Sequence, residues 1–377
     1  MVVIGISGSY GGLNTGDEAI LTSMLASLRG ARPGECDEFV VFSRNADHTA
    51  SHHCVDRVVP TRDLSRDQVL PEIERLDLFL LGGGGILYNG EARVYLRDVR
   101  LAQEREVPTF AYAVGVGPLD EAVDCDLVQT TLERMAGVTV RDELSRRVLE
   151  HVGLERRVDV TADPALLLEP DAFPPELLVH ESVTEGRPLV GMSVREPGKA
   201  ASDLDEHGYH DLLGQAADYA VYRFDADVVF LPIERDDIRH SHAVASRMVA
   251  AERVHVVKRL LEPRQMLGLV KHLDLVIGMR LHVLIFAALS ATPFLPLPYA
   301  GKVTDFVAAA GVPAPAPVKR ESAGPLLAAI DCTWDTREEQ RRVLRERVPA
   351  LREQAGRTVE LALAALNQKA SPDPCPR

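Results

Sequence analysis

Cysteine is scarce in this chain. Its five residues (Cys36, Cys54, Cys125, Cys332 and Cys375) lie far apart in 377 positions, with no C-x-x-C spacing. That pattern excludes a disulfide framework and a cysteine-based zinc site, and fits reduced thiols in a cytoplasm. Long apolar runs are missing, and none reaches the length of a membrane span. The N-terminus, Met1-Val-Val-Ile-Gly-Ile-Ser7, lacks a basic region and a long apolar core. The expectation is therefore a cytoplasmic chain without a signal peptide, with peripheral contact at the inner membrane face left open. Positive charge is also short: 42 Lys and Arg stand against 56 Asp and Glu, a net charge of −14. This disfavours a nucleic-acid backbone as partner, although it permits a local cationic pocket. Neither a G-x-G-x-x-G nor a Walker A spacing occurs, so no dinucleotide or ATP site is expected.

What is present is an ordinary globular composition, 46% hydrophobic and 26% charged. A length of 377 residues exceeds what one core usually carries, so two domains are expected. Short apolar runs alternate with helical patterns through both halves, which predicts a parallel α/β architecture. Expected strands in the first half are Val2–Ser7, Glu38–Ser43, Val55–Pro60, Leu76–Leu81, Thr109–Val116, a short one from Val138 and Val158–Ala162. Proline and glycine thicken over 169–188, where the domain linker is placed. The second half has expected strands at Leu189–Val194, Asp227–Ile233, Val254–Val257 and Asp274–Ile277, and a proline-rich edge strand at Thr292–Tyr299. Thr336–Leu366 is a long helical pattern, Ala314–Pro317 a loop, and Ser371–Arg377 a tail expected to be disordered.

The candidate chemistry gathers at strand ends. The strand Asp274–Ile277 runs through Gly278-Met-Arg280-Leu-His282 into a helix over Leu281–Leu289. Such a turn lies at the carboxyl edge of a parallel sheet, where open α/β folds bind ligands, and exposes N–H groups that suit an anion. Arg280 adds a permanent cation that can fork a carboxylate or phosphate. His282 adds a group that moves protons near neutral pH. Arg141, Arg195 and Lys302 stand at comparable places, which favours a functional His282 over a core or surface one. For Arg141, followed by Asp142, a structural salt bridge is the competing reading. The Gly-rich turn from Gly8 to Asp17 after the first strand is a usual phosphate-binding place. Its Asn14 and Asp17 are read equally as turn and cap residues or as ligand contacts. Gly82 to Gly85 let backbone approach a ligand or a neighbouring segment closely. The histidine groups His52-His53, His207-x-x-His210 and His240-x-His242 come with no carboxylate set at ligand spacing, so no metal is expected.

Eight segments in order resemble the polysaccharide pyruvyl transferases. They are Gly11-Gly-Leu-Asn14-Thr-Gly-Asp17-Glu-Ala-Ile, Leu81-Gly-Gly-Gly-Gly-Ile-Leu87, Tyr112-Ala-Val-Gly-Val-Gly-Pro-Leu119 and Val138-Thr-Val-Arg-Asp-Glu-Leu-Ser145 in the first half. Ala162-Asp-Pro-Ala-Leu166, Phe230-Leu-Pro232, Val276-Ile-Gly-Met-Arg-Leu-His282 and Tyr299-Ala-Gly-Lys302-Val303 follow. The resemblance covers residues 1 to 311 approximately. It implies two Rossmann-like domains in a GT-B-like fold, with the active site in the interdomain cleft. The domains are then 1–170 and 187–320, with a C-terminal helix over 335–368 packing back toward the first.

The same resemblance implies phosphoenolpyruvate as donor, a sugar or lipid-linked sugar as acceptor, and a pyruvate ketal as product in cell-surface polysaccharide biosynthesis. It assigns donor binding and catalysis to Arg141, His282 and Lys302. It puts Asn14 and Asp17 near the site, and Gly84, Gly85, Arg195 and Arg280 are expected beside substrate. No cofactor beyond the donor is needed if arginine and lysine carry the charge. Two departures bear on the acceptor: Tyr299-Ala300-Gly301-Lys302 replaces the common Tyr-Asp-Pro-Lys, and Tyr88-Asn89 replaces a Gln-Asp pair. Three alternatives stay open. They are a nucleotide-sugar glycosyltransferase on the same fold, pyruvyl transfer to a non-polysaccharide metabolite, and a non-catalytic binding protein.

Overall fold

The computed structural model describes residues 1–171, 186–201, 203–297, 300–313, 316, 318–319 and 323–368. Most of the expected linker, part of the Ala314–Pro317 loop, Pro298, Tyr299 and the Ser371–Arg377 tail lie outside these residues. The chain divides into two compact units, one of Met1–Leu168 with Arg352–Arg377 and one of Glu169–Leu351.

In the first unit the strands are β1 (Val3–Ser7), β2 (Glu38–Phe42), β3 (Arg57–Val59), β4 (Leu78–Leu81), β5 (Gly84–Leu87), β6 (Thr109–Val116), β7 (Gly137–Val140) and β8 (Asp159–Val160). All pair in parallel, in the order β3-β2-β1-β4-β6-β7-β8, with β5 joined to β6 off this path. Burial of nearly every residue of β1, β4 and β6 explains why these strands read as continuous apolar runs. Helices α1 (Thr15–Ala31), α2 (Ala46–His52), α3 (Arg66–Ile73), α4 (Ala92–Glu104), α5 (Ala122–Glu133) and α6 (Glu143–Val152) form the crossovers. The sequence reading places no helix over α2 to α5. In α2, Ala46–His52, only Thr49 is buried, so no apolar stripe marks it.

The second unit repeats the plan with β9 (Leu189–Ser193), β10 (Asp227–Phe230), β11 (Val254–Val256), β12 (Leu275–Gly278) and β13 (Phe294–Pro296). Their parallel order is β11-β10-β9-β12-β13. Its helices are α7 (Glu206–Phe224), α8 (Arg235–Ala245), α9 (Pro263–Val270), α10 (Leu281–Leu289), α11 (Gly301–Ala309), α12 (Ala323–Asp335) and the first part of α13 (Arg337–Gln368). Gln340 of α13 covers the edge strand β13: it accepts from the Phe294 N–H at 2.5 Å and donates to the Phe294 carbonyl at 3.2 Å. An amide side chain thus stands in for the missing neighbour strand. Further along α13, Thr358 donates to the Thr161 hydroxyl at 2.8 Å within the first unit.

Both sheets run outward in two directions from their first strand. In each, a carboxylate before the fourth strand locks the start of the first: Asp77 accepts from Val3 N–H at 3.0 Å, and Asp274 from Leu189 N–H at 2.9 Å. The reversal of strand order between β1 and β4, and between β9 and β12, opens a crevice at the carboxyl edge of each sheet. The expected site residues sit on those two edges.

Candidate functional site

In the first unit the loop after β1 is closed by its own side chains. Asn14 is the N-cap of α1 and accepts from Gly16 and Asp17 N–H at 2.9 and 3.1 Å. Glu18 accepts from Gly11 N–H at 2.9 Å and stands 2.9 Å from His53 Nε2. The cap reading of Asn14 is therefore what the geometry displays. Asp17 faces the next loop, where a Cβ on Gly84 would lie 3.4 Å from Asp17 Oδ1. Gly84 has φ +101°, a conformation suited to glycine, and turns the chain from β4 into β5. Gly85, also expected beside substrate, is the exposed residue of β5.

Arg141 follows β7 and is buried. Its Nη1 donates to Asp163 at 3.0 Å and its Nε to Asp142 at 3.3 Å. A Cβ on Gly115 would stand 2.7 Å from Arg141 Nη2, so the guanidinium lies flat on β6 where no side chain intervenes. The ion pair of the competing reading exists, and it orients a planar guanidinium fork at the sheet edge. Two tyrosines to which the sequence reading gave no role are fully buried in the same unit. Tyr10 packs against Gly8 and Gly82, and its hydroxyl meets Met24 Sδ at 3.2 Å. The Tyr112 hydroxyl is wholly buried, and that burial drives its pKa upward.

In the second unit Arg280 is the N-cap residue of α10 and is likewise buried. Asp237, with no exposure, accepts from Arg280 Nη2 at 2.6 Å and Nε at 3.2 Å. Glu234 accepts at 2.8 Å, and Glu196 lies 3.7 Å away. One guanidinium is thus surrounded by three carboxylates. Asp237 also accepts from Ile233 and Glu234 N–H at 3.1 and 3.2 Å. Burial nevertheless raises its pKa above the usual carboxylate value, against the pull of Arg280. Arg195, after β9, pairs with Glu196, and its carbonyl accepts from the Tyr209 hydroxyl at 2.8 Å. His282 is buried in the first turn of α10, and Lys302 half-buried in the first turn of α11. The structure therefore brings Arg195, Arg280 and His282 to one sheet edge, and Asn14, Asp17, Gly84 and Arg141 to the other.

The histidine reading needs one correction. Glu206 and His210 on α7 face Asp236 and His240 on α8, and Glu206, His210 and His240 form a group of metal-ligand type. Carboxylates do accompany these histidines, each four residues earlier on the same helix, Glu206 before His210 and Asp236 before His240, and the packing of α7 on α8 brings the two sets together. A cation already occupies the middle. Arg239 donates to Asp236 at 3.0 Å and to Glu206 at 3.1 Å, and its Nη2 stands 2.9 Å from His240 Nε2. That contact leaves the proton on His240 Nδ1, which donates to His210 Nε2 at 2.9 Å. Burial, foremost, lowers both imidazole pKa values and keeps the pair neutral.

The polysaccharide pyruvyl transferase family model matches residues 14–301. The chain belongs to that family. The match spans every expected site residue except Lys302, which lies one position beyond it. No curated protein sequence matches the chain. Among solved structures it is similar to a Listeria monocytogenes protein described as a UDP-N-acetylglucosamine 2-epimerase, with TM-score 0.68 and 14% identity over 100% of this chain and 98% of that one. It is also similar to the UDP-GlcNAc 2-epimerase of Neisseria meningitidis bound to UDP-GlcNAc (TM-score 0.63, 12% identity, 97% and 100% covered). The UDP-GlcNAc 2-epimerase of Methanocaldococcus jannaschii is comparable (TM-score 0.63, 12% identity, 89% and 93% covered). At these identities the likeness is one of fold: two parallel α/β sheets of the GT-B type. Within this pyruvyl transferase family member, the carboxylates Asp163, Glu196, Glu234 and Asp237 are what sequence reasoning missed as partners of the arginines. Apart from Glu196, which is adjacent to Arg195, no local spacing signals them, because they reach Arg141 and Arg280 across strands or helices.

Proposed function

We propose that this transferase moves pyruvate from phosphoenolpyruvate onto a sugar as a ketal and releases phosphate. Membership of the family over residues 14–301 carries the reading. The donor presents a carboxylate and a phosphate close together, so several cations must hold it. Arg141, Arg280 and Lys302 are assigned to that task, with Arg195 beside them. Carboxylate partners keep the two buried guanidinium planes oriented before substrate arrives, which lowers the ordering cost of binding. His282 is assigned proton transfer. Protonation of the donor methylene carbon makes C2 electrophilic. One sugar hydroxyl adds to C2 and loses its proton. A second hydroxyl then displaces phosphate, also losing a proton, and the ketal closes. Of the two protons released, one replaces that delivered to carbon and the other leaves with phosphate or solvent. Asn14, Asp17, Gly84 and Gly85 are assigned to the acceptor side, where the Asp17 carboxylate can accept from sugar hydroxyls.

Phosphate release from phosphoenolpyruvate against a panel of sugars, nucleotide sugars and lipid-linked sugars tests this directly. Release should depend on one acceptor class and yield a product heavier by pyruvate less water. Arg141→Ala and Lys302→Ala should each weaken donor binding by about 1.5–3 kcal/mol, the usual loss of a charge-assisted contact. No acceptor-dependent release across the panel, with unchanged donor affinity in both variants, removes the assignment.

A further inference from the structure

A second cationic site stands in the first unit, apart from the residues assigned to the donor. A cavity of about 320 Å³ opens at the carboxyl edge of β1 to β3, with Ser7 and Gly8 in its lining. Arg44, Arg62, Arg93 and Arg97 line it. These side chains come from three separate places: the loop after β2, the loop after β3, and the first turns of α4. The volume is at the lower end of small-ligand pockets.

The four arginines divide into two kinds. Arg97 is committed to the wall. Its Nε donates to Asp98 at 2.8 Å, its Nη2 donates to the Thr61 carbonyl and hydroxyl, each at 2.6 Å, and Thr61 donates to Asp98 at 2.5 Å. Arg44, Arg62 and Arg93 have no ion-pair partner among the described residues. Arg62 is steadied by the ring of Tyr95, 5.2 Å from its guanidinium carbon. Arg44 lies over the Gly-rich loop, where a Cβ on Gly12 would stand 3.2 Å from its Nη1. Three uncompensated guanidinium groups thus line one cavity in a chain whose net charge is −14. Like charges converge this way at a cost, and an anion relieves it.

Position supports the same reading. The cavity adjoins the β1–β4 crevice, where strand order reverses and open α/β sheets take their ligands. The helix end that often holds phosphate in this place is already used. The Gly16 and Asp17 N–H groups of α1 already donate to Asn14, and the Gly11 N–H donates to Glu18. The cations have moved one strand over, onto the β2 and β3 side.

We propose that Arg44, Arg62 and Arg93 form a binding site for a diphosphate group. Three guanidinium forks match the several charges and the many acceptor oxygens of a diphosphate better than the smaller demand of a single phosphate. Resting on the pyruvyl-transfer reading, the site gives the acceptor a handle: a sugar carried on a diphosphate, whether the far side is a nucleoside or a lipid.

Calorimetry on the full chain tests the site without turnover, using inorganic pyrophosphate, inorganic phosphate and phosphoenolpyruvate as probes. Pyrophosphate should bind more tightly than phosphate. Arg62→Gln and Arg93→Gln should each weaken pyrophosphate about tenfold while leaving phosphoenolpyruvate affinity unchanged. Arg100→Gln, an exposed arginine further along α4, serves as control and should change neither. Circular dichroism verifies that each variant is folded. Equal pyrophosphate affinity in the pocket variants and the control overturns the proposal. So does a loss confined to phosphoenolpyruvate, which would make the cavity the donor's. Pyrophosphate binding that depends on these arginines, in a protein that consumes no phosphoenolpyruvate, sinks the transferase reading and leaves the anion site standing. Comparing UDP with a short-chain prenyl diphosphate then separates the two carriers.

Discussion

Replacing Arg280 by methionine isolates the energetics of the second sheet edge. The substitution keeps much of the buried stem and removes the charge that faces Asp237, a carboxylate with no exposure, in contact at 2.6 Å. Breaking a buried pair from one side typically costs about 3–5 kcal/mol. A ceiling applies, because Asp237 can escape by taking up a proton. From its unperturbed value of 3.8, protonation at pH 7 costs about 4.4 kcal/mol, and at pH 5 about 1.6 kcal/mol. The destabilisation of Arg280→Met relative to wild type should therefore be about 3–4 kcal/mol at pH 7 and no more than about 2 kcal/mol at pH 5. The sign follows from linkage. Asp237 has a raised pKa in the folded state, so its contribution is largest at low pH and is lost as pH rises through the folded value. Arg280 limits that rise, and removing it extends the loss to higher pH. The chain has a single tryptophan, Trp334, stacked on Phe224 with ring centroids 4.2 Å apart in the second unit. Urea unfolding followed by its fluorescence thus reports on the unit that carries Arg280. Adding Asp237→Asn to Arg280→Met should abolish the difference in destabilisation between pH 5 and 7 that Arg280→Met introduces. An equal destabilisation at both pH values, or one below about 1 kcal/mol, would refute the reasoning and reduce the cluster to a solvated ion pair.

Other outcomes are expected elsewhere. His282→Gln should leave phosphoenolpyruvate affinity within a few-fold and lower turnover by about 10²–10⁴, with one limb of the pH–rate profile lost; near-native turnover would make the histidine structural. The neutral His210–His240 pair has pKa values below the ordinary 6.5, so its stabilisation is present above that pH and is lost as pH falls toward the folded values. Tryptophan-detected melting between pH 5 and 8 should show this slope, and His240→Gln should flatten it. Gly115→Ala drives a methyl group within 2.8 Å of the Arg141 guanidinium. It should destabilise the first unit by about 1–3 kcal/mol and weaken the donor, and an unchanged donor affinity would separate Arg141 from binding.

Much of the architecture was legible because its signals are local. The strand Thr109–Val116 and the helix Leu281–Leu289 have the bounds that their apolar runs predict, since a buried parallel strand is apolar on both faces and ends where glycine or a charge follows. The ordered glycine, Arg-Asp and Arg-Leu-His segments pointed to the family now matched over 14–301. Short polar helices such as Ala46–His52 left no such trace. Neither did the partners of the site residues. Arg280 and Asp237 are 43 positions apart, and Arg141 and Asp163 are 22. Arg44, Arg62 and Arg93 share a cavity although they belong to three different connections. Side-chain periodicity depends on neighbours along the chain, so sequence alone determined the strands other than β5 and the turn that carries Arg280 and His282, but not the crossover helices α2 to α5. Charge pairing depends on distance through space, and that distance is set by strand order. Only the tertiary structure decided which arginines are held by carboxylates and which three are left facing a cavity.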